Sequence, residues 1–258
     1  MRGERRSALA DVVAAAIAVA ALAVVLEIWT TAMRVPGYLF PAPSAIAARL
    51  ARDPQFFALE TTTTLGEATV GFAVGALVAF AAASAMTFSR GLERSIFPLA
   101  ILVKLTPIVA VAPLFTLWFG FGPAPKVAIA ALITFFPMLV NAFVGLRSVD
   151  PQELAFLETL GASRQEIFVR LRAPSALPYL FSAARVSANL ALIGAVVAEW
   201  TGAERGLGRV IFVANANLDL TTLFGAVLIL ASAGIAVNAL VGAMERRVLH
   251  WHPVTLTT

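Results

Sequence analysis

The chain is 258 residues long, 60% hydrophobic and only 13% charged, with a mean hydropathy of +0.87. Soluble domains are about 45–50% apolar and about 25% charged, so this chain lacks the polar surface that a water-exposed fold needs and reads as a membrane protein. Its net charge of +4 is explained by arginines at the ends of spans rather than by a nucleic-acid partner, because no basic run is interleaved with aromatics. The absence of cysteine excludes disulfides, thiolate metal sites and thiol nucleophiles.

A spanning helix needs roughly 20 mostly apolar residues. Six segments meet that need, so residues 1–258 read as a single all-α transmembrane domain. In chain order they are Leu9–Trp29, Leu65–Phe88, Ile96–Gly120, Lys126–Gly145, a fifth near Tyr179–Trp200 and a sixth near Thr221–Ala243. The first follows a basic start, MRGERR, but is far longer than the roughly 7–15 apolar residues of a signal peptide, and is read as a retained anchor. With the N-terminus inside, eleven of the nineteen Lys and Arg fall in cytosolic segments and six in outer ones; Lys104 and Arg185 lie within apolar segments. This bias places both termini in the cytosol, with the spans among membrane lipid.

Between the first two spans, Pro36, Pro41 and Pro43 enforce extended chain. A short amphipathic helix is expected from Ser44, with Ile46 and Leu50 on its apolar side. It either lies on the membrane or caps the outer mouth. Gly71, Gly75, Ala79 and Ala83 recur every four residues in the second span, a small-residue stripe for close helix packing.

Ionisable residues inside spans are costly and are functional candidates by default. Glu27 and Glu67 are expected near span ends, where snorkelling or helix-end capping accommodates them. Lys104 is expected about two turns into the third span, snorkelling to the cytosol, with Pro107 bending the helix after it. Helix-breaking prolines are tolerated where a span is buried in protein or lines a cavity. Pro107 and Pro113 are therefore candidates for a translocation path, together with Asn141, Asn189 and Glu199; Pro137 is of the same kind. The asparagines also suit hydrogen bonding between helices. Glu199 also suits a structural role, accepting backbone N–H groups of the turn at Gly206–Gly208. His250 and His252 lack a third ligand, so no metal site is expected, and Trp251 fits a membrane-surface tail. No catalytic residue is identified.

The segment from Arg147 to Pro178 is charged and lies between the fourth and fifth spans. It reads as two short helices. Asp150 N-caps the first, with Pro151 at its first position and Glu153 completing a capping box. Gly161 supplies the left-handed residue at its end. Ser163 and Glu166 form a second box, and the second helix carries Ile167, Phe168 and Leu171 on its apolar side, with Arg164, Arg170 and Arg172 around it. Pro174 is expected to end that helix and Pro178 to start the fifth span. Such a segment suits an ordinary solvated loop, a membrane-surface element or a docking site for a protein partner; two capped helices with an aromatic facing outward favour the last two.

The spacing of Gly161-Ala162, Leu171, Pro174 and Pro178 resembles the EAA loop of ABC importer permeases, which reads EAA, three residues, Gly, nine residues, Ile, one residue, Leu-Pro. Leu171 takes the Ile place and Pro174 the Pro place. The chain departs from the pattern at Ala155, where the family has Glu, at Leu157, where it has Ala, and at Ala173, where it has Leu; Glu153 and Glu158 lie nearby but off the family position. VKLTPIVAVAPLFTLWFGFG resembles the third-span signature of the sulfonate, nitrate and taurine branch, FFPMLVNAFVGLRSVD the next span, and AEWTGAERGLGRVIFVANANLDLTTLFGAVLIL with MERRVLHWHP the end of such chains. Within the branch, AEWTGAERGLG and VANANL resemble the importers of pyrimidine-type vitamin precursors.

This resemblance implies a permease working as a homodimer, or as one of two related permeases, with two cytosolic ATPase subunits and an extracytoplasmic solute-binding protein. ATP and Mg would be held by the ATPase subunits; no phosphate-cradling GxxxxGK[ST] occurs here. It further implies that Glu153, Glu158, Gly161, Ala162, Arg164, Ile167, Phe168, Leu171, Pro174 and Pro178 couple the ATPases to the spans, and that the solute is small and polar or anionic: a sulfonate, nitrate, taurine or a pyrimidine vitamin precursor. Glu199 and Arg185 match charged residues of the family. The rival readings are a carrier driven by an ion gradient and a multi-span membrane enzyme. The first would place acids at mid-span or show paired repeats, and the second would cluster catalytic carboxylates or histidines at one face.

Overall fold

A computed structural model describes residues 2–250, and every regular element among them is helical. In order these are α1 (Arg2–Ala32), α2 (Pro43–Arg52), α3 (Pro54–Phe88), α4 (Arg90–Leu105), α5 (Ile108–Phe119), α6 (Pro123–Arg147) and α7 (Pro151–Thr159). There follow α8 (Arg164–Ile167), a π-helical turn (Phe168–Arg172), α9 (Ala173–Glu199), α10 (Leu207–Ala216) and α11 (Leu220–Val248). His252 and Trp251, assigned above to a surface tail, lie outside the described residues.

Four helical stretches are long and apolar enough to cross a membrane: Pro54–Phe88, Pro123–Arg147, Arg164–Glu199 and Leu220–Val248. α4 and α5 make a fifth only if a pair bent by 102° counts as one span. The expected first span falls in α1, whose apolar helix in the described residues, Ala16–Ala32, is shorter than the other four.

The expected third span, Ile96–Gly120, is a broken helix rather than a bent one. Thr106, which precedes Pro107, is extended at φ −72° and ψ 123°, as the proline ring demands of its predecessor. Pro107 then opens α5 as its N-cap. The fifth span differs in the opposite sense. Pro174 does not end a helix and Pro178 does not begin one: the chain is helical from Arg164 through Glu199, with Pro178 in the helix interior. The π turn accounts for this, because the Ala173 N–H reaches back to the Phe168 carbonyl and the wider turn accommodates Pro174, which lacks an N–H and would crowd the carbonyl of an α-helical turn.

The described chain divides into two compact units. One comprises Met1–Leu59 and Val210–Ile229. In it the Glu27 carboxylate accepts from the Ser44 N–H at 2.9 Å and the Ser44 hydroxyl at 2.6 Å, holding the N-terminus of α2, where a negative charge is favourable. The short helix begins at Pro43 rather than Ser44. Its Ile46 and Leu50 pack on Gly225 of α11, while the Arg49 Nε donates to Thr222 at 3.0 Å.

The other unit comprises Glu60–Arg209 and Leu230–Thr258. Its core is α6 against α9, closed by small residues: a methyl group on Gly145 would sit 2.9 Å from the Ala176 backbone, and one on Gly194 would sit 3.1 Å from Ala130. The stripe of α3 packs on α6 as its spacing suggests. Ala79 and Ala83 are fully buried, and added methyl groups on Gly71 and Gly75 would collide with the α6 backbone. Without a hydrophobic force between helices in lipid, such close backbone approach is what holds spans together. Glu67 is not near a helix end: α3 starts at Pro54, so Glu67 lies more than three turns inside it, buried, with no partner for its Oε2 among the described residues. Arg185 pairs with Glu245 at 2.6 Å, tying α9 to α11.

Candidate functional site

The helix–turn–helix that follows α6 is specified almost residue by residue. The Asp150 carboxylate accepts from the Gln152 N–H at 2.7 Å, with Pro151 as the first helical residue. The first capping box does not form: Asp150 caps the second helical N–H rather than that of Glu153, which is exposed and returns no bond to the Asp150 backbone. α7 closes with the paired bonds of a Schellman motif, Ala162 N–H to Leu157 carbonyl at 3.1 Å and Gly161 N–H to Glu158 carbonyl at 3.0 Å. Gly161 has φ +73°. The second box is complete: the Glu166 N–H donates to the Ser163 Oγ at 3.2 Å, and the Ser163 N–H to the Glu166 Oε2 at 2.9 Å.

The faces of this element differ from expectation. Phe168 is half-buried, its ring 5.3 Å from that of Phe88, and packs against the core with the buried Ile167. The outward aromatic is instead Phe156, 64% exposed, with Leu160 one turn later at 66%. Residues four apart share a helix face, so α7 shows an apolar pair to its surroundings. Phe156 also borders a shallow groove formed with Gln152, Leu157, Arg170 and Leu171. Glu158, Gly161 and Arg164 are exposed, while Ala162, Leu171, Pro174 and Pro178 are half-buried. Arg147, at the foot of α6, is gripped by both oxygens of Glu93 at 2.8 and 3.1 Å, and Arg172 donates to the Leu146 carbonyl at 3.2 Å.

A second glycine turn lies at the other end of α9. Each of its backbone N–H groups meets a buried side chain: Gly206 donates to Glu60, Leu207 to the Thr64 Oγ1 at 2.8 Å, and Gly208 to Glu199. The Thr64 hydroxyl donates in turn to Glu199 at 2.7 Å, and Glu199 is 1% exposed. Sequence reading assigned Glu199 to this turn and missed Glu60 and Thr64, whose spacing from the turn carries no local signal. Lys126 was also missed. Counted among outer basic residues, it is 1% exposed and donates to the Phe121 and Gly122 carbonyls at 2.7 and 3.0 Å.

The remaining path candidates do not converge. Asn189 donates to the Arg185 carbonyl at 3.3 Å and lies beside Gly234 of α11, and Pro113 is exposed on α5. Asn141 and the Pro107 break meet at one place: an open cleft of about 570 Å³ whose lining includes Lys104, Thr106, Ile108, Phe136, Pro137 and Asn141. Lys104 was expected to snorkel; its ammonium instead lies over the Phe136 ring, 4.8 Å from the centroid. Among the described residues no three His, Cys, Asp or Glu side chains gather as metal ligands would.

Comparison with known proteins gives a consistent family. Residues 71–250 match the family described as binding-protein-dependent transport system inner membrane component. The formylaminopyrimidine transport permease protein ThiX of Halalkalibacterium halodurans is 34% identical over 88% of this chain and 92% of that protein. The aliphatic sulfonates transport permease protein SsuC of Bacillus subtilis, whose assignment is itself putative, is 32% identical over 71% and 67%. In fold, a chain of the MetNI methionine ABC transporter in an inward-facing conformation superposes with a TM-score of 0.64 at 15% identity, over 72% of this chain and 93% of that one.

Proposed function

The chain belongs to the binding-protein-dependent transport system inner membrane component family, and on that premise we propose how this permease subunit of an ABC importer is arranged and driven. It is a transport protein rather than an enzyme, with ATP hydrolysis on a separate subunit. In our reading six spans cross the inner membrane, both termini face the cytosol, and two copies flank a central path. Two ATPase subunits, holding ATP and Mg, dock on the segment Arg147–Pro178, and a solute-binding protein delivers a small polar or anionic solute to the opposite face. The relatives named above carry two chemistries, an uncharged heterocycle and a sulfonate.

The observation that carries the coupling role is continuity. The helix that begins at Ser163 runs without interruption from Arg164 to Glu199, about 50 Å at 1.5 Å per residue. α7 is held to its start by a turn whose bonds are all local. A push on α7 therefore reaches the membrane through one continuous rod, as a transition between two packed states requires. The departures at Ala155, Leu157 and Ala173 leave this geometry intact, because Gly161, Ser163 and Glu166 set it.

The contact surface in this reading is Phe156 with Leu160, edged by Glu153, Glu158 and Arg164, rather than Phe168. Phe156→Asp should abolish co-purification of the ATPase while leaving the melting temperature of the solubilised permease unchanged, since the ring is exposed. Full recovery of the ATPase with Phe156→Asp would overturn the docking assignment. Phe168→Asp is no substitute for this test, because it buries a charge against Phe88.

A further inference from the structure

Two lysines lie within the helices of the larger unit, and only one is accounted for. Lys126 is buried and bonded to two carbonyls of the turn between α5 and α6. Lys104 has no carboxylate partner and no hydrogen bond among the described residues; its one contact of note is the Phe136 ring.

Its distance from the ion pair follows from two helices. The Glu93–Arg147 ion pair fixes one level on α4 and α6, and the Lys104–Phe136 contact fixes another. Glu93 to Lys104 is eleven residues along α4, and Phe136 to Arg147 is eleven along α6, so both helices place the ammonium about 16 Å from the ion pair. With Arg147 at the cytosolic boundary, as the topology proposed above has it, a hydrocarbon core about 30 Å thick puts Lys104 near its middle. On that placement a four-carbon stem does not reach the headgroups, so the ammonium does not snorkel.

A lysine at this depth cannot face lipid without a heavy cost, so it faces protein or a water-filled path. The backbone makes the same demand independently. The Thr106–Pro107 break leaves irregular chain at membrane depth, which is tolerated only where it is buried in protein or lines a cavity, and Thr106 and Ile108 border the same cleft as Lys104. The other polar side chains of the cleft direct a donor back into their own helices: Thr106 Oγ1 to the Leu102 carbonyl and Asn141 Nδ2 to the Pro137 carbonyl, each at 2.8 Å. Lys104 is the donor left facing the cleft.

We propose that this cleft is a solute-contact site on the translocation path, in which the Lys104 ammonium recognises an anionic group and Phe136 with the apolar wall takes the carbon skeleton. This rests on the importer reading above and decides between the two chemistries of its relatives: an acidic organic solute, sulfonate- or carboxylate-like, rather than an uncharged heterocycle. In a two-copy permease the path carries two such ammonium groups, which strengthens the selection.

The test uses the whole transporter, permease with its ATPase and binding protein, in proteoliposomes offered labelled ethanesulfonate, taurine or formylaminopyrimidine. Lys104→Gln should lower ATP-driven uptake of the anionic probe about tenfold or more, since the lost contact is of the stronger, charge-assisted kind. Lys104→Arg should keep most of it, and ATPase recovery should be unchanged in both. Because the chain has no cysteine, Lys104→Cys gives a single attachment point on it. An aminoethyl disulfide adduct there should restore uptake, and a sulfonatoethyl adduct should not. Equal uptake by Lys104→Gln and wild type, or a wild type that carries only the uncharged pyrimidine, overturns this proposal and leaves the importer reading standing. A wild type that recovers no ATPase and takes up none of the probes overturns the importer reading itself.

Discussion

Gly161 and Gly206 both sit at positive φ, +73° and +116°, yet the turns they make are held in opposite ways. Around Gly161 the turn's hydrogen-bond partners all lie within five residues and the turn is exposed. Around Gly206 the partners are Glu60 and Thr64, 146 and 143 residues from their donors, together with the buried Glu199. A turn closed by its own neighbours moves as a unit without breaking bonds elsewhere, which suits an element that is pushed. A turn closed by buried carboxylates from α3 and α9 ties distant segments together, and moving it leaves polar groups unpaired.

Breaking the second turn should therefore have the largest effect. Glu199→Ala removes the acceptor of the Gly208 N–H and of the Thr64 hydroxyl. Each orphaned buried donor costs about 1–3 kcal/mol, so the loss should be about 2–6 kcal/mol. A lower melting temperature and a poor yield of monodisperse protein in detergent are expected. An unchanged melting temperature would show that the turn is held by something other than these bonds.

Gly161→Val probes the first turn and should cost less. No atom lies within 4 Å of the added Cβ, so the penalty is conformational alone, about 1–2 kcal/mol for an L side chain in the left-handed region. The variant should fold and insert, but transport coupled to the ATPase should fall, because α7 no longer meets the long helix at its native angle. Gly206→Val makes the contrast sharper. Its side chain would run into the Glu199 carboxylate, and the loss of folded protein should exceed that of Gly161→Val. If the two valines prove equally damaging to stability, the distinction between a local and a distributed turn fails.

The same distinction explains what the sequence made legible. Asp150, Gly161, Ser163 and Glu166 were readable because each bonds to a residue a few places away, so spacing carries the signal. Glu60 and Thr64 were missed and Lys126 misplaced because burial of a polar residue depends on partners that spacing does not reveal. The proline readings erred in both directions for one local reason. Pro107 breaks a helix because Thr106 takes the extended conformation, whereas Pro174 sits in one because the π turn before it makes room. Phe168 belongs to that same turn and sits half-buried against Phe88, so a regular helical wheel does not predict its environment, and the outward aromatic was sought one helix too late. Family membership was legible from segment order, whereas the contact of Lys104 with Phe136 joins two helices and leaves no mark in local spacing.

The smallest effect should come from Ser163→Ala, which removes the acceptor of the Glu166 N–H within a turn whose backbone is otherwise intact. Loss of a serine N-cap costs about 1 kcal/mol, and here water reaches the freed N–H because the turn is exposed. The melting temperature should barely move, whereas amide exchange at Glu166 and Ile167 should quicken as the first turn of the long helix frays. Exchange at Leu207 and Gly208 should not change, since nothing in their bonding passes through Ser163. Faster exchange at both turns would mean that the two are energetically one structure, and that the element proposed to be pushed by an ATPase is also the one that anchors the far end of α9.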